Sequence, residues 1–249
     1  MGLWGNAKRS RRTVEILLRL RQHRKSGNHK FVADLIDHLM EGQQMAACVR
    51  RFRQMPGAQS LMDRRVAPLL VDPQQFQHLP AGSLGRAYAD LIQRLGLNPS
   101  FYRIRPVESE AEWLTQRIAS THDLHHLVTG FGTRRDGEHG VLAITSAQIG
   151  FPAFKVITRF GLMANLWMNP LVFARLHRAH AHGLRIAQGA HCLTAVEWES
   201  GWERPLSDWR QSLGITEPAD GCSYGLNPGS VRPQEGTVAG ATGVDRVFF

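Results

Sequence analysis

Residues 121–140 read THDLHHLVTGFGTRRDGEHG, and the fold and chemistry predicted for this 249-residue chain both depend on that stretch. His122 and His126 are four residues apart, so on an α-helix they lie about 40° apart around the axis and share one face. Asp123 lies about 100° further round and can still reach a cation held at the edge of that face. Glu138 follows after a gap of eleven residues.

Glycines interrupt the chain between the histidines and Glu138. Gly130 and Gly132 are expected to end the first helix, and Thr133 or Asp136 to begin a second one. Glu138 would then lie near the start of the second helix, and a tight helical hairpin would bring its carboxylate back to the imidazoles. Two neutral imidazoles and two carboxylates carry a charge of about −2, which suits one divalent metal ion.

The same residues also permit a purely structural interpretation. A His-x-x-x-His pair on a helix often forms a half-buried polar pair that binds nothing. His125 adds a further alternative, because it could replace one of its neighbours in the site or face solvent. Geometry alone therefore leaves the metal site and the structural pair about equally open.

The signature of His-Asp-x-x-His, eleven residues and Glu resembles that of the coenzyme Q (ubiquinone) biosynthesis family called Coq-four. Flanking segments are similar to the family pattern as well. They are residues 79–88 (LPAGSLGRAY), 96–99 (GLNP), 129–130 (TG), 196–199 (VEWE) and 205–215 (PLSDWRQSLGI). The resemblance is clear from Leu79 to Ile215 and weaker from about residue 31. It departs from the family at Leu124 and His125, where an aromatic pair is common.

The resemblance implies that His122, Asp123, His126 and Glu138 bind a divalent metal, zinc first and cobalt, iron or manganese as alternatives. It also implies that His122 and Glu138 serve catalysis. The implied reaction is a metal-dependent decarboxylation, simple or oxidative, at the ring carbon that bears the carboxylate of a polyprenylated 4-hydroxybenzoate. The implied partners are that benzoate or another isoprenoid lipid, a membrane surface, other ubiquinone-biosynthesis enzymes and a second copy of the chain.

Two other functions are compatible with the same residues. The first is a lipid-binding scaffold that organises quinone-biosynthesis enzymes at the membrane and holds a structural metal, because structural zinc sites have four closed ligands. Such sites usually include cysteine, and none of the four predicted ligands is a cysteine. The second is an HD-type phosphohydrolase, suggested by the adjacent His122 and Asp123, but the flanking segments point away from it.

The net charge of +9 is concentrated at the N-terminus. Residues 1–30 contain nine Lys or Arg and a single Glu, so eight of the nine net charges lie there. The rest of the chain is nearly neutral and has no zinc-finger or RNA-binding signature, which excludes nucleic acid as the expected partner. The segment could be a targeting presequence, a basic helix on anionic lipid or a solvated helix, and the second is favoured. We therefore expect a cytoplasmic protein that is peripheral on the inner membrane, or on its matrix face in a mitochondrion.

Apolar periodicity predicts an all-α protein in three parts. Residues 1–30 form the basic segment, 31–216 a single multi-helix domain with the metal site on a helical hairpin, and 217–249 a disordered tail rich in Gly and Pro. Helices are predicted over residues 10–25, 31–53 (with Gly42 as a candidate break), 59–66, 84–95 and 107–129, followed by one that carries Glu138 to about residue 150.

Three further features of the sequence are an apolar region, a second histidine cluster and the three cysteines. Residues 140–174 are apolar but are divided by Lys155 and Arg159, so they predict a core helix pair or the wall of an isoprenoid groove rather than a membrane span. A second histidine cluster, His177, His180 and His182, lacks a nearby carboxylate and is interpreted as a surface patch. Three widely spaced cysteines (Cys48, Cys192 and Cys222) indicate a reducing compartment and no disulfide framework.

Overall fold

Helices form the regular structure of the residues that the computed structural model describes, namely 11–19, 30–95 and 106–219. No β-strand occurs among these residues, which confirms the all-α prediction. The helices are α1 (residues 11–19), α2 (Lys30–Met40), α3 (Gln43–Arg53), α4 (Ala58–Asp63), α5 (Leu84–Leu95), α6 (Glu110–Thr129), α7 (Arg135–Ile149), α8 (Pro152–Met168), α9 (Pro170–Gly189) and α10 (Leu206–Leu213).

The helix boundaries follow local signals in the sequence. Helix α5 has the predicted limits, and the helical stretch predicted over 31–53 is divided at its candidate break, Gly42, which is the N-cap of α3. Helix α6 begins at Glu110 because Ser109 forms a capping box with Glu112: the Ser109 hydroxyl accepts from the backbone N–H of Glu112, whose carboxylate accepts from the N–H of Ser109. Pro152 starts α8 rather than kinking α7, because proline is favoured in the first turn of a helix.

Helices α6 and α7 lie at the centre of the fold. Both contribute to two buried apolar clusters, one shared with α5, α9 and α10 and the other with α2, α3, α4 and α8. Leu124 and Ile144 belong to the first cluster, while Ile118 and Leu142 belong to the second. A helix that is covered on nearly every side must also bury its polar residues. The histidines of α6 and Glu138 of α7 are therefore enclosed by protein.

Buried Arg117 ties α6 to the segment around Trp198. Its guanidinium is 1% exposed, forms an ion pair with Glu199 and donates a hydrogen bond of 2.6 Å to the carbonyl oxygen of Val196. Such a charge is tolerated in the interior because a carboxylate and a carbonyl both compensate it. The Val-Glu-Trp-Glu segment noted in the sequence thus closes the fold behind the site helix.

The chain ends differ in how much of them is described. Ile16 and Leu17 of α1 are buried against the second apolar cluster, but most of the basic N-terminal segment lies outside the described residues. Residues 217–219 pack on the end of α6, where the Ala219 N–H donates to the carbonyl oxygen of Thr129 at 2.7 Å. The rest of the predicted tail, 220–249, also lies outside the described residues. None of the described helices has the length and apolar character needed to cross a bilayer.

Candidate metal site

A tight hairpin between α6 and α7 positions the candidate site. Gly130 ends α6 in the left-handed conformation at φ 75°, which side chains other than glycine rarely adopt. The loop then folds back so closely that a Cβ atom on Gly137 would lie 1.9 Å from the carbonyl oxygen of Gly132. Glu138 consequently lies in the first turn of α7, facing the last turns of α6, as the glycine spacing predicts.

Three of the four predicted ligands meet in this hairpin. The Nε2 atom of His122 lies 3.1 Å from Oε2 of Glu138, and Nε2 of His126 lies 3.3 Å from Oε1 of the same carboxylate. The two Nε2 atoms are 3.1 Å apart. All three side chains are at most 4% exposed. One donor atom from each lies within 4.8 Å of the others, so a single ion could contact all three.

The hydrogen bond on the far side of His126 fixes which nitrogen faces the site. A carbonyl can only accept, so Nδ1 of His126 donates to the carbonyl oxygen of Phe131 at 3.1 Å. In the neutral ring this leaves the lone pair of Nε2 directed towards Glu138 and His122. Metal-binding histidines characteristically donate their second nitrogen to a backbone carbonyl or carboxylate in this way.

The electrostatics of the group favour a cation between its members. Burial raises the pKa of Glu138, but the charge of His126 and the hydrogen bonds from His122 and His126 outweigh burial and lower it to about 2. Burial lowers the pKa of His126, and the charge and hydrogen bond of Glu138 outweigh that effect and raise it. An ionised carboxylate is thus enclosed with two imidazoles, and either a proton or a metal ion can supply the compensating charge. The residues present fit a divalent metal.

Asp123 lies outside this close group. It is buried on the same turn of α6 as His122, but it is not one of the residues whose donor atoms lie within 4.8 Å of one another. Its negative charge nevertheless reaches His126, where it raises the imidazole pKa. Its assignment as the fourth ligand stays a prediction, as do the catalytic roles of His122 and Glu138.

His125 takes neither of the two positions considered for it. It is fully buried, and its ring faces Trp198 at 6.3 Å while Nε2 lies 3.4 Å from the hydroxyl of Thr121. Burial, followed by the nearby His122 and His126, holds its pKa well below the usual value. His125 is therefore a neutral core residue behind the site and not a member of the donor group.

Helices α8 and α9 provide neighbours that sequence analysis missed. Phe154 of α8 packs edge-on against His122 with ring centroids 6.2 Å apart. His139, next to Glu138, is buried with its ring 5.4 Å from that of His180. Asp136 pairs with Arg175 across α7 and α9 at 2.7 Å. Apolar periodicity could not identify these contacts, because α7 is buried on almost every side. Its sequence therefore has no single apolar face that would show which residues meet which neighbouring helix.

The three members of the second histidine cluster lie in different surroundings. His180 packs on His139, while His182 contacts the ring of Phe131 at 5.3 Å and bonds the Glu217 carbonyl oxygen at 2.9 Å. His177 is exposed and stacks on Phe173. Within the described part of the chain, only His122, His126 and Glu138 form a group suited to a metal.

Comparison with known proteins places these features in a family. Residues 22–219 match the family model described as coenzyme Q (ubiquinone) biosynthesis protein Coq4. The mitochondrial ubiquinone biosynthesis protein COQ4 of Coprinopsis cinerea is 28% identical over 165 residues, which are 64% of this chain and 55% of that one. The mitochondrial COQ4 homolog of Bos taurus is 32% identical over 171 residues, 67% of this chain and 63% of the relative. The chain thus spans between about half and two thirds of these relatives.

A solved structure is also similar. The crystal structure of a candidate ubiquinone biosynthesis protein from Nostoc punctiforme superposes with a TM-score of 0.76 at 28% sequence identity. The match covers 85% of this chain and 99% of that one.

Proposed function

The chain belongs to the Coq4 family of coenzyme Q (ubiquinone) biosynthesis proteins, and we propose that it removes the ring carboxylate of a polyprenylated 4-hydroxybenzoate at a metal held by His122, His126 and Glu138. Asp123 is proposed as the fourth ligand. The observation that carries the proposal is the buried group in which one carboxylate lies 3.1 and 3.3 Å from two imidazoles. Zinc is the first candidate metal, with cobalt, iron and manganese as alternatives.

The protein's own residues supply preorganisation. A divalent metal, when bound, would supply Lewis acidity towards a carboxylate or phenolate oxygen. Glu138 stays ionised because of its two imidazole neighbours, and the Phe131 carbonyl holds His126 in one orientation. Burial excludes bulk water, so charges within the site interact more strongly than they would in solution. We propose that the reacting end of the substrate lies against His122 and Glu138.

Simple decarboxylation of the ring needs no oxidant or reductant. The para-hydroxyl loses its proton and its electrons move into the ring, so the carbon that bears the carboxylate accepts a proton. The bond to the carboxylate then breaks, its electron pair restores the aromatic ring, and carbon dioxide leaves. The oxidative form, which puts a hydroxyl in place of the carboxylate, takes one oxygen atom from dioxygen at a redox-active metal and requires a two-electron donor that reduces the other oxygen atom to water. The ring product distinguishes the two.

A scaffold with a structural metal is the second candidate function. It is favoured by one observation, the 0–4% exposure of the three donor side chains, since catalytic zinc sites keep one position open to water or substrate. The absence of cysteine from the donor group argues against it. In the scaffold proposal the protein would hold other ubiquinone-biosynthesis enzymes together at a membrane.

Placement at a membrane is part of the proposal for either function. The curated relatives are named mitochondrial, and a polyprenylated ring partitions into a bilayer. We propose a peripheral position on the matrix face of the inner membrane in a mitochondrion, or on the cytoplasmic face of the inner membrane in a bacterium.

Turnover by purified protein tests the reaction. Metal-loaded protein is incubated with a prenylated 4-hydroxybenzoate that carries ¹³C in its carboxylate, with and without dioxygen and a two-electron reductant, and labelled carbon dioxide and the ring product are measured. Release of label by the wild type and by Glu203→Gln, but not by Glu138→Gln, is the expected result. Glu203 is exposed, so it is a matched control for the same substitution. No release by any metal-loaded form would favour the scaffold.

A further inference from the structure

The tip of the hairpin formed by α8 and α9 carries a patch of large apolar side chains that nothing in the described structure covers. Trp167 is 87% exposed and Leu171 is 80% exposed. We call the patch the hairpin tip, and its members are Met163, Leu166, Trp167, Met168 and Leu171. Single exposed apolar residues are ordinary, but a contiguous group of this size usually marks an interaction surface.

The turn between the two helices holds the hairpin tip in a fixed shape. The N–H of Asn169 bonds to the carbonyl oxygen of Asn165 at 3.0 Å, and the side-chain oxygen of Asn169 accepts from the N–H of Val172 at 3.2 Å. Pro170 occupies the first turn of α9, where its fixed φ suits the helix. Trp167 and Leu171 are therefore presented on ordered helix ends on both sides of a capped turn.

All the charged residues of the two helices that carry the hairpin tip are basic. Residues 152–189 include five Lys or Arg and no Asp or Glu. Arg159, Arg178 and Arg185 are exposed, while Arg175 pairs with Asp136 of α7. A helical hairpin that combines an exposed tryptophan and leucine at its tip with basic residues alone along its length is complementary to a layer that is apolar inside and anionic outside. Tryptophan favours that boundary because its ring is apolar and its N–H is polar.

From this surface we infer that the hairpin tip inserts into the interface of a bilayer that contains anionic phospholipid. The helices lie partly in the headgroup region and do not span, which agrees with their length and polarity. This contact is additional to the one expected from the basic residues 1–30. The inference rests on the proposed placement at a membrane but not on the proposed reaction, so the two can fail separately.

The position of the hairpin tip relative to the site is suited to a lipid substrate. Phe154, in the first turn of α8, packs against His122, and Trp167 lies thirteen residues further along the same helix. At 1.5 Å per residue this separation is roughly 20 Å. Insertion of the hairpin tip would therefore hold the proposed metal site at most about one helix length from the headgroups, within reach of a long isoprenoid chain.

Site-specific fluorescence tests the inference in the full chain. Trp167→Cys is labelled with the polarity-sensitive dye NBD, and Leu70→Cys is the control, because Leu70 is exposed but lies outside the hairpin. Cys222 is replaced by Ser in both, and Cys48 and Cys192 are buried. With vesicles of phosphatidylcholine and phosphatidylserine, the dye at 167 should brighten and shift to the blue, and the dye at 70 should not. Vesicles of phosphatidylcholine alone should give a smaller change. An unshifted dye at 167 would overturn the inference, whether or not the protein sediments with the vesicles.

Vesicle partitioning gives a second, independent measurement. The side chains of Trp167 and Leu171 would bury their apolar area in the bilayer, and the variant Trp167→Ser/Leu171→Ser loses that area. Its binding to the mixed vesicles should therefore be roughly tenfold weaker or more, while Leu70→Ser binds as the wild type does. Both variants change exposed residues, so both should fold. Equal vesicle binding by wild type and double variant would overturn the inference. If the double variant also broke up an oligomer in sedimentation velocity, the hairpin tip would be an interface between copies of the chain, and the membrane inference would be overturned.

Discussion

The carbonyl oxygen of Phe131 accepts a hydrogen bond from Nδ1 of His126 at 3.1 Å, so a backbone atom of the loop sets the orientation of a ring on the preceding helix. The same loop leads into α7 and Glu138. The orientation of the His126 ring and the position of Glu138 thus both depend on one short segment, in which Gly130 and Gly137 permit the chain to turn back tightly. The site is a property of the hairpin as a whole rather than of three side chains.

A variant of His125 should differ in metal content from variants of His126 and Glu138. His126→Ala and Glu138→Ala each remove a donor from the group and should lose most of the bound metal in elemental analysis. His125→Asn should retain it, because His125 faces Thr121 and Trp198. The same variant should be less stable to urea, since it alters a fully buried residue. Metal loss in His125→Asn with full occupancy in His126→Ala would reverse the assignment.

The close loop contact at Gly137 makes a second prediction. Gly137→Ala would place a Cβ atom 1.9 Å from the Gly132 carbonyl oxygen, which forces the loop away from α7. We expect a loss of about 2 kcal/mol in the free energy of unfolding, the usual size of an overpacking effect, together with weaker metal binding. Gly189→Ala is the control, because its Cβ would make an ordinary contact of 3.7 Å with the Gly214 oxygen. Equal effects of the two substitutions in urea unfolding would show that the loop is not tightly held.

Much of this architecture could be predicted from the sequence, for identifiable reasons. The limits of α5, the end of α6 near Gly130 and the place of Glu138 after it all follow from periodicity and helix-ending glycines, which act locally. The neighbours of the site could not be predicted in this way. Phe154 reaches His122 from α8, and that contact depends on how buried helices pack. Periodicity also could not show that Asp123 would lie apart from the close donor group.

The buried thiols should be unreactive in the folded protein. Burial raises the pKa of Cys48 to about 12 and that of Cys192 to about 11, so both stay protonated up to strongly alkaline pH. At pH 8 we expect iodoacetamide to label them at least about a hundredfold more slowly in the native Cys222→Ser protein than in urea, because only the thiolate reacts. Their raised folded pKa also implies that stability falls as pH rises above about 9, where the unfolded chain releases these protons first. Rapid native labelling at both positions would contradict the buried placement.

The role of the proposed metal site in ubiquinone synthesis is tested most directly by complementation with Glu138→Gln, a nearly isosteric change, in cells that lack the native protein. Glu203→Gln is expressed to the same level as the control, and circular dichroism checks that both variants keep the wild-type helical content. We predict that Glu203→Gln restores ubiquinone, whereas Glu138→Gln does not and accumulates prenylated precursors that still bear the ring carboxylate. A folded Glu138→Gln protein that restores ubiquinone to the wild-type level would contradict the catalytic account and leave the scaffold in its place.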